Sequence, residues 1–130
     1  MRRRLYIVLP VLLIAAGIAW IFHGSPAAPG PAELRGRGTH HAVVVRLEPR
    51  LGPLDVRVEL HPASPADVSI SAVMPHMGHT TPELQARSDG PGRYVARGEL
   101  FTMTGPWEIG VRVHDTSGTE VIKVNTLITA

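Results

Sequence analysis

Cysteine is absent from this chain of 130 residues. That excludes disulfides, thiolate metal sites, thiol nucleophiles and a lipid anchor on cysteine. Methionine and histidine are left as the soft and borderline donors, and both serve well in an oxidising compartment. Aromatic residues make up only 5% of the chain, and no long helical period follows residue 23. A basic surplus is missing too. Arg2, Arg3 and Arg4 precede the first apolar run, so residues 24–130 carry ten Lys/Arg against eleven Asp/Glu, close to neutral at about −1. A nucleic-acid binder needs a clustered basic face, so nucleic acid is not expected as a partner. Also missing are a carboxylate pair, a nucleophile elbow, a phosphate loop and any spacing of serine and histidine that suggests a triad. The chain is therefore not expected to be an enzyme.

What is present begins with Leu5–Phe22, eighteen residues without a charge. As a helix they measure roughly 27 Å, enough for a thin hydrocarbon core. Tyr6 and Trp20 lie near the two ends, and the arginine cluster argues for a cytoplasmic N-terminus. Residues 1–22 thus read as a single-pass anchor in the cytoplasmic membrane. The alternative is a cleaved signal peptide, for which Ser25-Pro26-Ala27 is a poor cleavage site because of Pro26 and Pro29. Either reading delivers the rest of the chain across the membrane, in a bacterium to the periplasm. Residues 23–38, rich in Pro, Gly and Ala, read as a tether outside the core.

From Thr39 the hydrophobic period becomes two. Val43, Val45 and Leu47 alternate with polar or outward positions, as do Leu54, Val56, Val58 and Leu60. Further strands are expected through Val68, Ile70 and Ala72, over Tyr94–Leu100, over Trp107–Val113 and from about Glu120 to Ile128. Asp115-Thr116-Ser117-Gly118 is expected to form a hairpin turn. Thr80–Arg87 reads as a short strand or an irregular crossover. About seven short strands at this spacing predict an all-β fold, an immunoglobulin-like β-sandwich over residues 39–130. Gly92-Arg93-Tyr94 after an aspartate-containing turn is similar to a tyrosine corner.

The densest chemistry is Met74-Pro75-His76-Met77-Gly78-His79, two thioethers and two imidazoles in six residues. These donors suit copper and match calcium or magnesium poorly. With Met1 set aside, the third remaining methionine is Met103, in the turn-like stretch Phe101–Gly105 before Trp107. Pro75 stiffens the entry and Gly78 permits a bend, so Met77 and His79 can face a common point. The two loops meet if the strands that lead into them run the same way. The candidate metal ligands are then Met77, His79 and Met103, with Met74 or His76 completing the shell around Cu(I). Met74 taken alone reads as core filler, and Trp107 as a core tryptophan. His40, His41, His61 and His114 read as solvated side chains. The neighbouring pair His40-His41 offers at most a second, weaker cupric site.

Those motifs, taken together, resemble the YtkA-like domain, which is related to the FixH-like proteins. The family pattern is Met-Pro-x-Met-x-His, then Gly-x-Tyr, then Phe-x-Met-x-Gly-x-Trp. Here Met74–His79, Gly92–Tyr94 and Phe101–Trp107 carry it, within a resemblance covering about residues 41–128. It implies an immunoglobulin-like sandwich outside the cytoplasmic membrane, often anchored to it and linked to copper handling or to assembly of copper-containing respiratory oxidases. The matching positions are Met74, Met77, His79 and Met103, while His76 falls at a variable position. Two functions follow. The first is a periplasmic copper chaperone or store that holds or delivers Cu(I), with a copper-requiring membrane protein or oxidase assembly factor as partner. The second is a metal-free assembly module for a respiratory or transport complex, whose methionines form an adaptable apolar surface.

Overall fold

A strand with one face in the core alternates buried and exposed residues, and that alternation organises the chain. The computed structural model describes residues 30–129. The reading of Leu5–Phe22 as a membrane anchor lies outside them. Ten strands follow in order: β1 Ala32–Arg37, β2 Ala42–Leu47, β3 Pro53–His61, β4 Asp67–Met74, β5 His79–Thr80, β6 Leu84–Gln85, β7 Arg87–Ser88, β8 Arg93–Glu99, β9 Gly105–Asp115 and β10 Gly118–Ile128. No helix occurs among the described residues. One sheet has the order β1-β2-β3-β8-β7 and the other β10-β9-β4-β5, with β6 also paired to β4. Every pairing is antiparallel. The two inner faces supply one core: Val43, Val45, Leu54, Val56, Val58 and Leu60 from the first sheet, Val68, Ile70, Trp107, Ile109, Val111 and Ile122 from the second. The all-β expectation and the main strands match this sandwich-like arrangement.

The tether needs a correction. Residues 23–38 contain β1, which pairs along its whole length with β2, and the compact unit starts at Pro31 instead of Thr39. The strand was hidden because its inward positions are Ala32, Leu34 and Gly36, two of them too small to signal burial by hydropathy. Gly36 is required by close approach. A Cβ there would lie 2.7 Å from Ile122 Cγ2 and 2.8 Å from Val124 Cγ1, inside van der Waals contact, so its absence lets β1 lie over β10.

Around Thr80–Arg87 the three two-residue strands β5, β6 and β7 carry the chain from the second sheet to the first. Thr81 anchors the crossover: its N–H donates to Ala72 O at 3.0 Å, and its hydroxyl accepts from Ala72 N at 3.2 Å. The tyrosine-corner expectation is also corrected. Tyr94 is buried at the start of β8, but its hydroxyl donates to Ser64 O at 3.3 Å and accepts from Ala66 N at 3.1 Å. It therefore pins the distant β3–β4 connection instead of closing its own turn.

The strand directions sort the connections into two ends. At the first lie the start of β1, the β2–β3 connection, the β4–β5 hairpin, the β8–β9 connection and the end of β10. At the other lie the β1–β2, β3–β4 and β9–β10 connections. The Met/His motif and the Met103 turn both fall at the first end.

Candidate metal site

The motif Met74–His79 folds as a hairpin. β4 ends at Met74, β5 begins at His79, and the two are register partners. The N–H groups of Met77 and Gly78 both donate to Met74 O, at 3.1 and 3.0 Å, and Gly78 takes φ +66°. That left-handed conformation costs glycine little and closes the turn. Opposed residues of an antiparallel ladder project from one face. His79 therefore lies on the same side of the hairpin as Met74, exposed where Met74 is buried.

Met74 is only 2% exposed and belongs to the core. A Cβ on Gly105 would lie 3.1 Å from its Cε and 4.0 Å from its Sδ. Through that contact the β8–β9 turn sits against the base of the hairpin. Within the turn Phe101 is buried and Met103 is half-buried against the core. Trp107, 1% exposed, donates its indole N–H to Met103 O at 3.0 Å. Its ring meets Phe101 edge-on at a centroid distance of 5.7 Å. The indole thus fixes the backbone that carries Met103.

Of the five candidate ligands, register brings Met74 and His79 together, and the Gly105 contact brings the Met103 turn beside them. Met77, 60% exposed, and His76, exposed, occupy the hairpin tip. Among the described residues no three of His, Cys, Asp and Glu gather as a metal-binding group. The donors available at this end are three thioethers and two imidazoles, a set that fits a soft cuprous ion and would serve a hard cation poorly.

The other end of the domain corrects the reading of His41. Its side chain is 4% exposed, with Nε2 at 2.9 Å from Asp115 Oδ2 and Nδ1 at 2.7 Å from Glu120 Oε1. Ser64 Oγ lies 3.3 Å from Nε2. Both ring nitrogens face carboxylates, so the imidazole is already partnered on both sides. To join His40 in a cupric site, His41 would have to give up these contacts. Glu120 also accepts the N–H groups of Thr39 and His40, at 2.8 and 3.2 Å. The cluster joins the β1–β2, β3–β4 and β9–β10 connections.

Two exposed apolar residues at the end that bears the Met/His hairpin escaped the sequence reading, Leu51 and Leu127. A signal existed for the second. Leu127 and Ile128 are consecutive apolar residues in an alternating strand, so one of them has to face outward. The chain matches no family model, no curated protein and no solved structure.

Proposed function

We propose that this is a membrane-anchored periplasmic protein that holds or delivers Cu(I) through the Met/His hairpin and the Met103 turn. The domain is immunoglobulin-like in this reading. Its support is the strand order β2-β3-β8-β7 facing β4-β9-β10, which corresponds to the A-B-E-D and C-F-G order of that fold. The kinship with the YtkA-like family rests on the three motifs and on their positions: two of them form the adjacent loops at one end. The observation that carries the copper reading is this convergence of Met74–His79 and Phe101–Gly105, joined where Gly105 meets Met74.

The ligands are Met77, His79 and Met103, with Met74 beneath them and His76 at the tip. Thioethers bind without releasing a proton, so such a site keeps its affinity in mildly acid surroundings better than one built from imidazoles alone. The exposure of Met77 also favours a second reading, in which the loops form a metal-free contact surface for a membrane complex.

Nuclear magnetic resonance on the full chain labelled at its methionine methyl groups separates the two. Addition of one equivalent of Cu(I) shifts the Met77 and Met103 signals, and Met74→Leu leaves that response in place if Met74 serves packing alone. Unchanged methionine signals in the presence of Cu(I) would sink the copper reading and leave the contact surface.

A further inference from the structure

Four large apolar side chains are exposed on the described domain: Leu51, Met77, Val121 and Leu127. Three of the four lie at the metal-loop end. Leu51, 43% exposed, is in the β2–β3 connection, Met77 is on the hairpin tip, and Leu127, 61% exposed, is at the end of β10. They come from both sheets and not from one strand. Single exposed apolar residues are ordinary, but several gathered at one end are not.

Charge there is mostly paired: Glu33 bonds Arg46 at 3.1 Å and Asp55 faces Arg97 at 3.7 Å. Between Leu47 and Pro53 only Glu48 and Arg50 are charged, and they bond each other at 2.9 Å. Glu99 is the charged residue beside the β8–β9 turn, and residues 74–80 contain no Lys, Arg, Asp or Glu.

The path of the chain adds an independent fact. β1 runs from Ala32, opposite Leu47, toward the far end, so the chain enters the domain at the metal-loop end. Only nine residues, 23–31, separate Ala32 from the apolar run Leu5–Phe22. Fully extended they reach about 30 Å. The apolar end is thus the one nearest in sequence to the run read as a membrane anchor.

We propose that the end bearing Leu51, Met77 and Leu127 docks on the lipid surface of the membrane that anchors the chain, a proposal that rests on the anchor reading of Leu5–Phe22. With little free charge at this end, the contact is apolar and forms on zwitterionic lipid. The short tether keeps the local concentration of lipid surface high, so weak individual side-chain contacts suffice. Docking places the Met/His loops at bilayer level. Copper exchange then takes place with a membrane-embedded donor or acceptor, and soluble carriers are kept from the loops.

The test uses the full chain in phosphatidylcholine nanodiscs that contain a gadolinium-chelate headgroup lipid. The reporters are the methyl groups of Met77 at one end and of Ala63, exposed in the β3–β4 connection, at the other. Strands of nine to eleven residues separate the two ends, a span of roughly 30 Å. Paramagnetic broadening falls steeply with distance, so docking broadens Met77 several-fold more than Ala63. The paired substitution Leu51→Ser, Leu127→Ser reduces that difference while the chain stays in the disc and its copper affinity is unchanged. Equal broadening at both ends, with the chain retained in the disc, overturns the docking and leaves the anchor intact. A difference that survives the paired substitution overturns the docking as well. A chain that elutes apart from the discs overturns the anchor and the docking together.

Discussion

Trp107→Ala lowers folding stability by about 3–5 kcal/mol, the range for removing a fully buried aromatic side chain. Urea unfolding of the full chain in detergent measures it, from the shift in midpoint at unchanged slope. The large value has three sources at one residue. Trp107 fills the core between the sheets, packs edge-on against Phe101, and satisfies the Met103 carbonyl. Trp107→Phe separates them, since it keeps most of the apolar volume and loses the indole N–H. Its cost is smaller, about 1–3 kcal/mol, combining a lost hydrogen bond with incomplete filling of the site. Because that bond holds the turn carrying Met103, Trp107→Phe also weakens Cu(I) binding. A variant that unfolds more easily yet binds Cu(I) as the parent does would detach the indole from the site.

The cluster around His41 gives the second large effect. His41→Ala removes the shared partner of Asp115, Glu120 and Ser64 from a buried position, at a cost of about 2 kcal/mol or more. The same cluster sets a dependence on pH. The hydroxyl and N–H of Ser117 hold the Asp115 carboxyl below its ordinary value of 3.8. Burial raises Glu120, but the bonds from His41 and from the N–H groups of His40 and Thr39 outweigh it and hold the group below 4.5. A carboxyl lowered in the folded state stabilises fully above its unfolded value and loses that contribution as the pH falls through the folded one. Unfolding free energy therefore declines as the pH drops below about 4, and the decline is shallower in Glu120→Gln. An equal slope in parent and variant would show that Glu120 has no part in it.

Much of the fold can be read in the sequence because its strands alternate cleanly. Leu54, Val56, Val58 and Leu60 in β3, and Trp107, Ile109, Val111 and Val113 in β9, are buried at every second position. Alternation failed where the inward residue is small. Gly36 needs its lack of a side chain to pass Ile122, so composition alone makes β1 look like linker. His41 failed for a different reason. Its burial depends on Asp115 and Glu120, more than seventy positions away, and nothing local marks them as its partners.

The candidate site was legible as two motifs, whose meeting was conditional on the strands before them running the same way, as β4 and β8 do. Their chemistry was visible from donor type alone. What the sequence did not reveal was how unequal the donors are: Met74 lies under Gly105 in the core, Met103 is half-buried, and Met77 stands in solvent. Burial of that kind is a property of both sheets together.

The central claim is that the Met/His hairpin binds copper, and a competition titration tests it most directly. The full chain in detergent is titrated with Cu(I) against a chromogenic chelator, beside the Met77→Ala, His79→Ala double variant. Both residues are exposed and outside the core, so the variant keeps the fold. The account predicts one equivalent bound by the parent and an affinity lower by about 100-fold or more in the variant, beyond what loss of a group merely supporting a ligand causes. Equal affinities in the two proteins, or no copper taken from the chelator by the parent, would contradict it.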